Sequence, residues 1–142
     1  MSKIIKLLIA SSMVANFAAP ITAQAKQRAV SVSCSVAVNV SKPEGDEIYQ
    51  KDFVVQPDVN FSDDFSTLIR QKTFDAYTLT VAGRTEVTID YFNDVGVFDA
   101  LQFNTTFMLP QDREAGSISG KSAAFTSNGN FTANYTLTCN RN

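Results

Sequence analysis

The sequence predicts an all-β domain, a seven- or eight-stranded antiparallel sandwich of the Ig-like, Greek-key kind with one short helix near 63–71. Three observations carry this. Apolar and polar side chains alternate with period two along most of the chain beyond residue 30. Turn chemistry recurs at short intervals, as Pro43-Glu44-Gly45-Asp46, Gly83-Arg84 and Asn128-Gly129. Two cysteines, Cys34 and Cys139, fall on the apolar faces of the first and last strands. A small up-and-down β-barrel is the alternative.

The first strand is the clearest. Val30, Val32, Cys34, Val36, Val38 and Val40 point one way, and Ser31, Ser33, Ser35, Ala37 and Asn39 the other. After the turn at 43–46, a strand over Ile48–Gln56 places Tyr49, Phe53 and Val55 on one face and stops at Pro57. The period then changes. Phe61, Phe65, Leu68 and Ile69 recur at helical spacing, with Ser62 as N-cap and Asp63 and Asp64 in the first turn, where the helix dipole favours anions.

Strands resume at Phe74–Ala82, with Tyr77, Leu79 and Val81 expected inward, and at Thr85–Phe92, with Val87, Ile89 and Tyr91 inward. Gly83-Arg84 joins them in a tight hairpin. Asn93–Gly96 reads as a turn into a long strand, Val97–Leu109, with Leu101, Phe103, Phe107 and Leu109 inward. A polar loop over Pro110–Gly116 leads to a weaker strand, Ser117–Thr126. After Asn128-Gly129 the last strand, Asn130–Cys139, alternates Phe131, Ala133, Tyr135, Leu137 and Cys139 against Thr132, Asn134, Thr136 and Thr138.

Inward registers on both cysteine strands predict a structural disulfide between Cys34 and Cys139. Such a bond suits an oxidising compartment. The first residues agree: Lys3 and Lys6 precede a short apolar stretch, and Ala23-Gln24-Ala25 is a small-x-small cleavage pattern. The expected organisation is a signal peptide over 1–25 of bacterial character, then one β domain over 26–142, periplasmic or secreted, with no transmembrane segment after cleavage.

Composition narrows the chemistry. Formal net charge is −2 over 142 residues, and the basic residues are scattered singly, which argues against a nucleic-acid surface. There is no His, so a Ser-His-Asp or Cys-His arrangement is excluded and the commonest transition-metal ligand is missing. No enzyme and no cofactor are expected. Asp63 and Asp64 read as helix-start acids rather than catalytic ones. Asp90, Asn93, Asp94 and Asp99 gather around a glycine turn and form a weak calcium candidate, although their spacing departs from the EF-hand loop.

Asn-x-Ser/Thr triplets at Asn39, Asn60, Asn104, Asn130 and Asn134 read as polar solvent faces of strands. Phe74, Phe92, Phe98 and Phe125 fall off the inward register; such residues more often pack under loops or mark a misplaced register, and a partner-binding patch is the alternative. The function expected is an exported, non-enzymatic binding or structural domain, adhesin- or pilus-like or a periplasmic interaction module. It would bind a protein partner or assemble with itself, using the first and last strands for β-augmentation. A carrier of a small lipophilic ligand in a barrel interior is the alternative.

Overall fold

The structure is a computed structural model that describes residues 30–81, 83–109 and 115–142. The expected signal peptide lies outside the described residues, as does most of the loop after Leu109. Eight strands follow one another: β1 (Val32–Ser41), β2 (Glu47–Val55), β3 (Phe61–Asp64), β4 (Lys72–Val81), β5 (Arg84–Gly96), β6 (Asp99–Leu109), β7 (Ala115–Thr126) and β8 (Gly129–Arg141). They form two four-stranded antiparallel sheets, ordered β2-β1-β8-β7 and β3-β4-β5-β6. The predicted sandwich is what forms.

Three details of the expectation are corrected. The segment near 63–71 is not helical. Its first two residues, Asp63 and Asp64, belong to β3, which pairs with β4 from Phe61↔Ala76 to Asp64↔Thr73. Phe61 and Phe65 lie four apart, a spacing that serves a strand face as well as a helix face. A helix this short is marginal in water, whereas pairing with β4 satisfies its backbone. Leu68 and Ile69, expected on the buried face of that helix, are exposed in the loop that follows.

The second correction concerns connectivity. Among the described strands no Greek-key crossing occurs. The chain is a meander that passes between sheets only at β2–β3 and β6–β7, all edge strands. With β3 included the strand number is even, so β1 and β8 meet antiparallel. The connectivity is that of the barrel alternative, but the ring is not closed by backbone pairing. Side chains hold the two rims instead. Asp63 of β3 accepts hydrogen bonds from Tyr49 Oη (2.9 Å) and Lys51 Nζ (3.2 Å) of β2, and Ser122 Oγ of β7 donates to the Gln102 carbonyl of β6 (3.1 Å).

The third correction is at the β5–β6 turn. Asn93–Gly96 belongs to β5, and the turn falls at Val97-Phe98 after a register shift between Asp94 and Gly96. Asn93 is buried within the strand, where Nδ2 donates to Tyr91 Oη at 3.0 Å. Phe98 holds a φ of 67°, a conformation bulky residues rarely adopt.

A line of aromatic rings fills the space between the sheets. It runs Phe61–Phe53–Phe74–Tyr49–Tyr91–Phe103–Tyr135, with centroid separations from 4.3 to 6.1 Å. Valines of β1 pack along it with Val55, Val87, Ile89 and Leu137. Side chains of both sheets meet in this interior, and the sheets are not closed into the barrel that the carrier reading expects. The line ends on Gly120, where any Cβ would collide with the Tyr135 ring.

The disulfide sits at the seam. Cys34 and Cys139 are direct partners across β1 and β8, with Cα atoms 4.1 Å apart and both side chains buried. That close approach belongs to the non-hydrogen-bonded pairs of an antiparallel ladder, the positions where two Cβ atoms come nearest. The bond therefore ties the first strand of the meander to the last.

Candidate functional site

The site is an edge. β4 pairs with β5 along its whole length, from Lys72↔Asn93 to Val81↔Arg84. On its other side it pairs with β3 only over Thr73–Ala76. The sequence explains why β3 is short. Pro57-Asp58, with Asp58 at a φ of 60°, folds the chain back through a bridge between Gln56 and Val59, so it reaches β4 only at Phe61. Among the described residues no strand pairs with β4 beyond Ala76 on that side.

The ladder decides which backbone groups this leaves open. Lys72 directs both backbone groups toward the β3 side: its carbonyl accepts from Phe65 N (3.1 Å) and its N–H donates to Ser66 Oγ (2.8 Å). Backbone groups alternate along a strand, so Phe74 and Ala76 face β3, and Thr78 and Thr80 face outward where β3 has ended. Tyr77, Leu79 and Val81 direct theirs to β5. Their side chains stand on the outer face of the sheet, 39%, 55% and 48% exposed. Met108 of β6 continues this apolar surface beyond Glu86, and Arg84 Nη1 lies 3.7 Å from its Sδ.

This overturns the expected orientation of β4. The inward residues are Phe74 and Ala76, both fully buried, and the larger apolar side chains after them point out. The stretch Tyr77-Thr78-Leu79-Thr80-Val81 is built from strong β-formers and contains no charge and no proline. Native proteins usually blunt exposed edges with lysine, proline or a bulge, and none occurs in this stretch. Chemically, such an edge accepts an extended strand, with main-chain hydrogen bonds for affinity and alternate side chains for selectivity.

The first and last strands, expected to provide the augmentation edge, do not. β1 lies between β2 and β8, and β8 between β1 and β7, so both are interior. The calcium candidate is dispersed. Asp90 accepts from Asn104 Nδ2; Asn93 points into the core; Asp94 pairs with Arg70 at 3.4 Å; and Asp99 accepts from Asn128 Nδ2 at 2.8 Å. Among the described residues no three acidic, histidine or cysteine side chains are grouped to hold a metal ion. Of the proposed aromatic patch, Phe74 is in the core, whereas Phe98 and Phe125 are exposed on different hairpins. All five asparagines of the Asn-x-Ser/Thr triplets are exposed.

Charge concentrates at the end of the sandwich where β1 turns into β2. Glu47 lies between the ammonium groups of Lys42 and Lys72. Partial burial pushes its carboxyl up, but hydrogen bonds and Coulomb attraction from both lysines outweigh this and hold it below the usual range. Burial, and then the hydrogen bond to Asp63, push the Tyr49 hydroxyl well up. Burial raises Tyr91 to about 12, with Asn93 partly opposing. These groups fix the hairpins and rims of the sandwich, and the Tyr77–Val81 stretch of β4 contains none of them.

Among the described residues, shallow clefts lie over the sheets. One, of about 640 Å³, is bordered by Ser33, Ser35, Asp52, Val54, Thr138 and Asn140. Another, of about 440 Å³, lies beside Thr73, Asp90, Phe92, Gln102 and Asn104. No protein-family model matches the chain, and no curated protein is similar to it. Among the described residues no helix is long and apolar enough to cross a membrane.

Proposed function

We propose that the chain is an exported, non-enzymatic binding or structural module that takes up an extended strand along the β4 edge. One observation carries this: among the described residues no strand pairs with the outward backbone donors and acceptors of Thr78 and Thr80, which lie beside the exposed Tyr77, Leu79 and Val81. An incoming strand would satisfy the threonine backbones and lay alternate side chains on the apolar surface. A rigid, disulfide-tied scaffold favours the interaction, because the edge is ordered before the partner arrives. This suits a pilus- or adhesin-like subunit or an interaction module of the periplasm, where the expected signal peptide would send it.

The test uses a short synthetic peptide of alternating threonine and valine with lysine caps, titrated into the isotopically labelled domain. Binding should shift the amide resonances of Thr78 and Thr80 first. The same peptide with alternate amides N-methylated should not bind. Thr80→Pro removes an outward N–H without touching the β5 ladder, so it should fold normally and bind weakly. Shifts confined to the opposite sheet, or equal binding by the N-methylated peptide, would overturn the reading.

A further inference from the structure

We propose that the natural occupant of this edge is a second copy of the chain, paired antiparallel about a two-fold axis through Leu79. The inference rests on the edge reading above and adds partner and register. Its first support is the hydrogen-bond pattern. The free stretch runs from Tyr77 to Val81, and Leu79 is its midpoint. A two-fold axis there sets Thr78 opposite the partner's Thr80 and Thr80 opposite the partner's Thr78. Both are the outward-facing residues, so each exchanges N–H and C=O with a group of the same kind.

Other two-fold registers are poorer. An axis at Thr78 would bring the partner's Thr80 against Ala76, which β3 already occupies. An axis at Thr80 would set Thr78 against the turn beyond Val81. An axis between residues would oppose outward-facing groups to inward-facing ones. Only the midpoint register uses both threonines of both copies.

Side chains and charge agree with it. On the outer face Tyr77 meets the partner's Val81, an aromatic–β-branched pair made twice, and Leu79 meets its own counterpart. The stretch carries no charge, so the copies do not repel along the contact. Arg84, beside Val81 in the ladder, stands in the same row as the partner's Tyr77, whose ring can receive its guanidinium. The pair is isologous and closes on itself, forming one continuous sheet through both β4 strands. The contact is shorter than a standard interface, so it is weak and concentration-dependent.

Single-cysteine variants read the register directly. Leu79→Cys places two thiols across a non-hydrogen-bonded pair, where Cα atoms approach to about 4.5 Å. Under mild oxidation it should form a covalent dimer at least ~10-fold faster than Tyr77→Cys or Val81→Cys alone, whose like residues lie about 13 Å apart by strand rise. A mixture of Tyr77→Cys with Val81→Cys should cross-link efficiently, and adding Thr80→Pro to Leu79→Cys should abolish the rapid cross-link. Cross-linking of Leu79→Cys no faster than Glu86→Cys, an outer-face control on β5, overturns the self-pairing. If the threonine–valine peptide still shifts Thr78 and Thr80 in that case, the edge reading survives without this occupant. If it does not, both fall.

Discussion

Removing the Cys34–Cys139 bond perturbs the fold at its seam, and its cost can be worked from the structure. The bond closes a loop of 105 residues, nearly the whole domain. In the chain-entropy model a loop of that size restricts the unfolded state by about 4.7 kcal/mol. The native state loses little order in return, because β1 and β8 remain hydrogen-bonded from Val32↔Arg141 to Ser41↔Thr132. The double variant Cys34→Ala, Cys139→Ala should therefore fold and be about 3–5 kcal/mol less stable, a large share of what a domain this size commonly has. Urea unfolding checks this. The midpoint should fall and the denaturant slope should rise, since the unfolded chain loses its tether and exposes more surface. A loss under about 1 kcal/mol with an unchanged slope would refute the reasoning, because the bond would not then be restricting the unfolded chain.

Two further predictions concern the core. Leu137→Ala on β8, fully buried, should cost about 2–5 kcal/mol. Thr136→Ala and Thr138→Ala, whose hydroxyls bond Ser119 and Ser117 on the exposed face, should each stay within about 1 kcal/mol. Denaturant midpoints decide it, and the reverse order would mean the strand is flipped. Stability should also fall in alkali. With Tyr91 raised to about 12 in the fold against 10.0 ordinarily, the folded state keeps a proton that the unfolded state releases. This contribution is fully present below pH 10 and is lost progressively as pH rises toward 12, the loss being on the order of 1 kcal/mol by pH ~11. Tyr91→Phe should make that part of the pH profile shallower, with Tyr49 keeping the remaining slope, and an unchanged profile would contradict the assignment.

Much of this architecture was legible in the sequence, for a plain reason. In β1 and β8 the large apolar residues stand on one face only, so period two identifies the inward side and places both cysteines correctly. β4 was misread because both of its faces carry apolar residues. Tyr77, Leu79 and Val81 outweigh Phe74 and Ala76 by number, yet burial follows the smaller set. That conflict marks the candidate site: apolar side chains stand outside the core next to unpaired backbone. β3 was missed because its Phe61–Phe65 spacing fits two periods, and pairing partners are invisible to local pattern. Asn93 was read as a turn residue from its type alone. Its amide bonds Tyr91 inside the core, a contact that only the tertiary fold supplies.

The same blind spot hid the edge. Thr78 and Thr80 look like any solvent-facing threonines until the length of β3 is known, and that length is set by the fold-back at Pro57-Asp58. An uncharged run of β-formers ending at Gly83 was the available signal, because an edge with no lysine or proline lacks the usual protection.

Amide hydrogen exchange along β4 in dilute solution tests the central claim most directly. The account predicts alternation: Tyr77, Leu79 and Val81, bonded to β5, should be protected, while Thr78 and Thr80 exchange at near-unfolded rates until a strand is added. Uniform protection of Tyr77–Val81 in the dilute domain would contradict it, because the edge would then already be occupied.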